Sequence, residues 1–162
     1  MTESRFLYVT YIRTSPERLW QALIDPEFTR QYWSETVQES EWKTGASWRL
    51  MIPDGRVADS GEVVEFDSPR KLVLKWRNEL QMEMREEGYS QLSHEIEQMD
   101  GMVKLTTIHS MPKSDSKFID AVSGGWPMIL ASLKSLLETG ESLEATRKWP
   151  EGRVNGPGQR TG

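Results

Sequence analysis

The amino-acid sequence predicts an α+β fold in which an antiparallel sheet packs against one long C-terminal helix. Two patterns lead to this prediction. Over residues 118–140, apolar side chains recur at three- and four-residue spacing, as on a helix that buries one face. Over residues 37–110, short segments alternate with period two between turn signals, which is typical of antiparallel strands. Because the helix follows the strands and does not alternate with them, the order predicts a meander covered by a helix.

The composition is that of one globular domain. The chain has 162 residues, of which 28% are charged and 36% hydrophobic, as in soluble globular proteins. No apolar run approaches the roughly 20 residues that cross a bilayer, and the first residues lack the order of a secretory signal. Cysteine is absent. We therefore expect a cytoplasmic protein without a membrane span.

The charge balance argues against nucleic-acid binding. The formal net charge is −5, and no dense cluster of Lys and Arg is present, although a nucleic-acid binder needs a basic surface that displaces counterions. Seven tryptophans are a high count for this length. They indicate either a core built around large rings or an aromatic-lined pocket, and both interpretations remain open.

One strand and two short helices are predicted before the meander. Residues 6–13 are β-branched and aromatic, as in a covered strand. A Ser-Pro-Glu run at residues 15–17 and an Asp-Pro-Glu run at residues 25–27 follow. Each supplies an N-cap, a proline at the first helical position and an acid in the first turn. The second helix is expected to end near Trp33.

Six further strands are predicted, which gives a sheet of about six to seven strands. They cover residues 37–42, 47–52, 61–66, 71–77, 90–98 and 102–110. Between the fourth and fifth of these, residues 79–88 are charged and methionine-bearing, and they fit a solvated hairpin connection or a mobile loop.

The long helix contains a Gly-Gly-Trp-Pro run that starts at Gly124. Proline inside a helix removes a hydrogen bond and clashes with the preceding turn. We therefore expect a kink or break near Gly124, a straight helix over residues 127–139 and Gly140 as the C-cap. Residues 1–140 would form the single domain. Residues 141–162 are polar and rich in Gly and Arg, and we predict a disordered tail there.

Three segments resemble the START-like (SRPBCC) helix-grip superfamily, specifically its bacterial branch related to the activator of the 90-kDa heat-shock-protein ATPase. They are residues 15–33, residues 61–76 and residues 125–140. The resemblance implies a curved antiparallel sheet that grips the C-terminal helix around an apolar cavity. Members of the superfamily bind lipids, hormones and polyketide-like molecules, and some are cyclases. Because this branch has no catalytic signature to transfer, the fold does not choose a function.

The two histidines are predicted to share the apolar face of the last hairpin. If the Asp-Gly pair at residues 100–101 closes a two-residue turn, His94 lies opposite Thr107 and His109 lies opposite Leu92. The imidazoles are then diagonal neighbours. Such a pair can orient a polar ligand group or transfer a proton. Alternatively, each histidine is a structural side chain with its hydrogen bonds satisfied.

A metal site is not expected. The two histidines could recruit Glu62 or Asp59, but the usual spacing of metal ligands is missing. We also assign no catalytic residue and no cofactor.

We predict a ligand-binding wall formed by inward-facing residues of the strands and the long helix. These candidates are Trp48, Leu50, Trp76, His94, His109, Trp126 and Leu130. The leading hypothesis is binding of an apolar or amphipathic small molecule, lipid- or polyketide-like, without turnover. The alternatives are a cyclase or hydrolase with a histidine as general base, and a chaperone-linked interaction module. A protein partner or homodimer is also possible on this sequence.

Overall fold

A seven-stranded antiparallel sheet and one long helix dominate the computed structural model, which describes residues 3–150. The strands are β1 (Ser4–Ile12), β2 (Val37–Ser40), β3 (Ser47–Met51), β4 (Val57–Asp67), β5 (Lys71–Asn78), β6 (Ser90–Met99) and β7 (Met102–Met111). The helices are α1 (Pro16–Ile24), α2 (Pro26–Tyr32), the short α3 (Met82–Arg85) and α4 (Lys117–Thr139). The spatial order of the strands is β1-β7-β6-β5-β4-β3-β2. The predicted α+β helix-grip class, with its curved sheet around the C-terminal helix, is confirmed.

The two short helices begin where the sequence predicts. Ser15 Oγ accepts a hydrogen bond from the backbone N–H of Arg18, and Asp25 Oδ1 accepts one from the N–H of Glu27. The Asp25 N–H also donates to the carbonyl of Gln21 at the end of α1. One residue therefore closes the first helix and opens the second, which fixes the angle between them.

The helix break expected near Gly124 does not occur. α4 is one α-helix that contains Pro127 in its interior, and Gly140 caps it with φ 88°. Buried side chains lie on both sides of the proline, Val122 before it and Ile129 after it. Their packing outweighs the roughly 3 kcal/mol that an internal proline costs.

The disordered tail predicted from residue 141 does not begin there. Residues 141–150 include a 3₁₀ turn, Glu144–Thr146, and Thr146 is fully buried. The hydroxyl of Thr146 donates to Ser132 Oγ in α4, and its carbonyl accepts from the Ser34 N–H. A polar sequence does not reveal that its hydroxyls have buried partners. The rest of the predicted tail, residues 151–162, lies outside the described residues.

The connection between β5 and β6 is attached to the start of α4. The Glu87 carboxylate accepts hydrogen bonds from the Ser116 hydroxyl and from the backbone N–H of Lys117. A carboxylate at a helix N-terminus satisfies free N–H groups and interacts favourably with the helix dipole. Together with α3 and the buried Met84, this contact holds the connection against the end of the helix.

Gly61 opens the space in which two large rings meet. It lies on β4 between Trp48 of β3 and Trp76 of β5 in the strand register. A Cβ at this position would lie 1.8 Å from the carbonyl oxygen of Lys75. Only glycine permits this close approach of backbones, and its missing side chain lets the flanking indoles come together.

Candidate functional site

The inner face of the sheet carries both histidines in the predicted register. His94 pairs with Thr107, and Leu92 pairs with His109. Both imidazoles are buried beneath α4. The turn chemistry of the last hairpin therefore placed these side chains correctly from sequence alone.

Tryptophan rings form a continuous cluster between the sheet and α4. The ring centroids of Trp48 and Trp76 are 4.5 Å apart, and those of Trp76 and Trp126 are 5.8 Å apart. Trp33, at the end of α2, also contacts Trp76 and Trp126. Trp33 was not among the predicted site residues, although its position directly after a short amphipathic helix was visible in the sequence. Contacts between aromatic rings stabilise a fold by more than the burial of their apolar area accounts for.

A chain of hydrogen bonds joins α4 to the sheet through His109. The indole N–H of Trp126 donates to His109 Nδ1 over 3.1 Å, and His109 Nε2 lies 2.9 Å from Ser90 Oγ. The Ser90 hydroxyl donates to the carbonyl oxygen of Trp76. Because Nδ1 is the acceptor, the ring proton lies on Nε2 and is donated to Ser90. His109 is thus a neutral imidazole with both nitrogens in use.

Burial keeps both histidines uncharged at neutral pH. It lowers the pKa of His94 to about 4 and the pKa of His109 to about 3, with a further lowering of the latter from the nearby His94. His94 Nδ1 is 2.9 Å from the hydroxyl of Thr107. Imidazoles with such low pKa values are weak general bases. The arrangement therefore suits hydrogen bonding better than proton abstraction.

Trp48 is held by a side chain that sequence reasoning missed. Its indole N–H donates to Gln38 Oε1 over 3.0 Å, and the Gln38 amide donates to the carbonyl of Leu23 in α1. The buried amide of Gln38 connects the aromatic cluster to the first helix. In the sequence, the available signal was its alternation with the exposed Glu39 on β2.

A buried indole and a buried carboxyl face each other beside this cluster. The Trp76 indole N–H has no acceptor within strict hydrogen-bond geometry among the described residues. It faces the carboxyl of Asp59, a residue that is 7% exposed. Burial raises the pKa of Asp59 to about 7, the N–H of Trp76 opposes this rise, and the Glu79 carboxylate adds to it. An unsatisfied buried polar group costs about 1–3 kcal/mol.

All seven predicted site residues lie in the interior, and none is more than 4% exposed. In addition to the contacts above, the His94 ring lies 5.6 Å from that of Trp126 and the His109 ring 5.2 Å from that of Trp76, centroid to centroid. Leu130 belongs to the buried face of α4 and Leu50 to that of β3. Two surface clefts of about 380 and 290 Å³ lie elsewhere, beside Arg147 and Lys117, and contain none of the seven. That these residues contact a ligand stays a prediction.

Two further properties concern residues 3–150 only. No group of three or more His, Cys, Asp or Glu residues in this range could hold a metal ion. No helix in the same range is long and apolar enough to cross a membrane.

A curved antiparallel sheet that holds a C-terminal helix against an aromatic inner face defines a START-like helix-grip domain. The family model for Activator of Hsp90 ATPase homolog 1-like protein matches residues 13–138. The chain therefore belongs to this family, and the predicted resemblance is confirmed. A comparison with curated proteins finds no match.

Solved structures share the fold at low sequence identity. Protein MLL2253 from Mesorhizobium loti has a TM-score of 0.71 and 18% identity, covering 83% of this chain and 97% of that one. The Aha1 dimer from Colwellia psychrerythraea has a TM-score of 0.70 and 17% identity, covering 86% of this chain and 99% of that one. DynU16, described as a putative protein in the dynemicin biosynthetic locus, has a TM-score of 0.67 and 20% identity, covering 85% of this chain and 48% of that one.

We predict that Asp59→Asn changes how stability depends on pH. The folded state raises the pKa of Asp59 from 3.8 to about 7, so this carboxyl destabilises the fold as pH rises through that window. The histidines act in the opposite direction, since their lowered pKa values cost stability as pH falls below 6.5. The variant removes only the first effect. Its advantage in the free energy of unfolding should grow by up to about 4 kcal/mol between about pH 4 and 7.

Urea unfolding at several pH values measures this difference. Glu62→Gln is the matched control, because Glu62 is exposed on the same strand and should follow the wild-type profile. Parallel profiles for Asp59→Asn and wild type would show that Asp59 titrates as it does in the unfolded chain.

Proposed function

We propose that this protein binds an apolar or amphipathic small molecule between the sheet and α4. The walls are the side chains of Trp48, Leu50, Trp76, His94, His109, Trp126 and Leu130. His94 supplies a polar contact, and His109 contributes its ring, because both of its nitrogens are already hydrogen-bonded. The observation that carries the proposal is the mixture of groups on the inner face, where neutral imidazoles and an unpartnered indole N–H lie within an aromatic cluster. A buried polar group costs free energy when it is unpaired, and a ligand that accepted the Trp76 N–H would remove that cost.

The comparisons support a small-molecule role in general terms. The fold is that of a family of helix-grip domains, and one structural neighbour is described as a putative protein in a biosynthetic locus. Binding without turnover fits the histidines better than catalysis does. The lowered pKa values of His94 and His109 make both rings poor bases at neutral pH, so a cyclase or hydrolase that depends on them is the weaker alternative.

Binding is tested by native mass spectrometry of freshly purified protein, followed by thermal unfolding with dodecanoic acid, naringenin and 2-naphthol. A ligand that binds only the folded state raises stability by about 2.7 kcal/mol at a concentration of 100 Kd. We expect a co-purifying mass, or a midpoint that rises with the concentration of at least one compound.

A variant pair locates the site. Leu130→Phe adds volume to the buried face of α4, whereas Met128→Phe adds it where the same helix is 36% exposed. We expect Leu130→Phe to weaken binding about tenfold, since a filled wall excludes ligand atoms, and Met128→Phe to leave binding unchanged. Equal effects of the two variants, or no response to any compound, would contradict the proposal.

We also propose that the chain forms a homodimer through the outer face of β1. Leu7, Val9 and Tyr11 project there and are 52%, 37% and 44% exposed, and Leu7 lies beside Ile108 of β7 in the register. Apolar side chains in a row on a sheet surface mark interaction sites. A second copy fits because a two-fold axis brings the same row against itself, and the structural neighbour from Colwellia psychrerythraea is described as a dimer.

Light scattering after size-exclusion chromatography measures the mass in solution. Val9→Lys introduces a charge into this row and should yield monomers. Val64→Lys is the matched control, because Val64 is 38% exposed on β4, away from the row; this variant should remain dimeric. A monomeric wild type across the accessible concentration range would contradict the proposal.

A further inference from the structure

β1 is an edge strand of the sheet. It stands first in the spatial order, and its strand partner among the described residues is β7. The free side of an edge strand carries backbone N–H and C=O groups that can pair with another strand, and natural edges are often protected by proline, an inward-pointing charge or a bulge. None of these devices occurs in β1. Its register with β7 has no shift, it contains no proline, and its one charged residue, Arg5, is exposed.

Two contacts from α4 show which backbone groups of β1 point to the free edge. The Lys134 ammonium donates to the carbonyl oxygen of Tyr11, and the Arg13 N–H donates to the Glu138 carboxylate over 2.8 Å. In an antiparallel pair, each residue directs both of its backbone groups to one side, and successive residues alternate. The odd-numbered residues of β1 therefore point away from β7.

The other strands give the same alternation. The Ile96 N–H of β6 donates to the carbonyl oxygen of Arg70, directly before β5, so the odd-numbered residues of β6 face β7. These pair with even-numbered residues of β7, which leaves the odd-numbered residues of β7 to bond to β1. Their partners in β1 are even-numbered. The odd-numbered residues of β1 thus keep their backbone groups for the free edge.

The open part of this edge is short and symmetric. Lys134 and Glu138 occupy its far end. The backbone groups of Arg5, Leu7 and Val9 that point to the edge have no hydrogen-bond partner in the part of the chain that the structure describes. These three residues are centred on Leu7. Two identical antiparallel strands are related by a two-fold axis, so a second β1 fits here with Leu7 opposite its own copy.

We propose that two copies of the chain pair through the free edges of β1, in an antiparallel register centred on Leu7. This inference rests on the homodimer proposed above and names the atoms that join its halves. Leu7 exchanges two N–H···O=C hydrogen bonds with Leu7 of the second copy, and Arg5 does so with Val9 of the second copy. Two seven-stranded sheets thereby become one continuous sheet.

The side chains match in this register on both faces of the strand. On the inner face, the half-buried Phe6 lies opposite the half-buried Tyr8 of the second copy. These two rings already stack within one chain, with centroids 6.2 Å apart, so the pairing creates a row of four rings. Cross-strand aromatic pairs stabilise antiparallel sheets. On the outer face, Leu7 meets its own copy and extends the exposed apolar row across the axis.

The ends of the pairing are complementary in charge. Glu3 is exposed and lies opposite Tyr11 of the second copy, where the Lys134 ammonium binds the Tyr11 carbonyl oxygen. An acid therefore approaches a cation, and the two-fold axis repeats the contact at the other end. Opposite charges on paired strands favour the register that brings them together.

Registers shifted along the strand fit less well. Centring the pair on Val9 would place Arg5 opposite Arg13 of the second copy, at an N–H that the Glu138 carboxylate already accepts. Centring it on Arg5 would place the two Arg5 side chains directly opposite each other. Like charges in opposite positions destabilise a strand pair, so the pattern of charges favours Leu7 as the centre.

Single cysteines test the register, since the chain contains no cysteine of its own. In the proposed pair, the Cα atoms at position 7 of the two copies are about 5.5 Å apart, a separation that a disulfide spans. Those at position 9 are four residue steps apart, about 14 Å, which is too far. Under mild oxidation we expect Leu7→Cys to form a covalent dimer about tenfold faster than Val9→Cys, or more, as measured by non-reducing electrophoresis.

A double variant supplies the matched control. Position 5 of one copy lies opposite position 9 of the other, so a chain carrying both Arg5→Cys and Val9→Cys should cross-link about as fast as Leu7→Cys. Each of these two substitutions alone should cross-link slowly. Contact between the outer faces without strand pairing gives no reason for this pattern.

Amide hydrogen exchange of the wild-type protein tests the hydrogen bonds directly. The N–H groups of Arg5, Leu7 and Val9 are open in a single chain and bonded in the pair. Raising the protein concentration until the dimer dominates should slow their exchange about tenfold or more. The N–H groups of Phe6 and Tyr8, which face β7, should change less. Residue-resolved NMR spectra measure both sets.

The outcomes separate this inference from the proposed homodimer. If light scattering finds only monomers at every accessible concentration, both fail. If the wild type is dimeric, but Leu7→Cys cross-links no faster than Val9→Cys and the exchange of the odd-numbered amides does not depend on concentration, the strand pairing is wrong and the homodimer stands. Circular dichroism shows whether each cysteine variant is folded, and if one is not, the exchange of the wild type decides the result.

Discussion

The hydrogen-bond chain through His109 is the interaction on which the interior depends. It runs from the Trp126 indole through the imidazole and the Ser90 hydroxyl to the carbonyl oxygen of Trp76. Each member is buried, so each bond forms in a medium where an unmade bond is costly. The chain fixes α4 to the sheet at the centre of the tryptophan cluster. It also holds His109 neutral, which turns a titratable residue into a fixed hydrogen-bond connector.

Much of the fold was predictable because the deciding signals are local. The proline runs with their capping residues place α1 and α2, and the Asp-Gly turn at residues 100–101 sets the register that brings His94 and His109 onto one face. Tertiary packing was not visible in the same way. The continuity of α4 through Pro127 and the burial of Thr146 against the helix depend on contacts between segments distant in sequence.

The candidate site was predictable in its apolar part and not in its polar part. Alternation along the strands identified Trp48 and Trp76 as inward-facing, and the helical period identified Trp126. Asp59 came into view only as a weak metal candidate, since its burial depends on its neighbours across the strands. Those neighbours are set by Gly61 and by the register shift between Leu50 and Met51 on β3. Which buried groups lack partners depends on side-chain geometry, and no periodicity records that.

The most direct measurement of the central claim is the ¹⁵N–¹H spectrum of the indole groups during titration with 2-naphthol. Trp76→Phe assigns the resonance of Trp76. If the inner face is a ligand site with Trp76 as its open donor, that resonance shifts further than those of Trp48 and Trp126, whose protons already have acceptors. A titration in which the Trp76 resonance stays in place while the protein is saturated would contradict the account, and would place the ligand elsewhere.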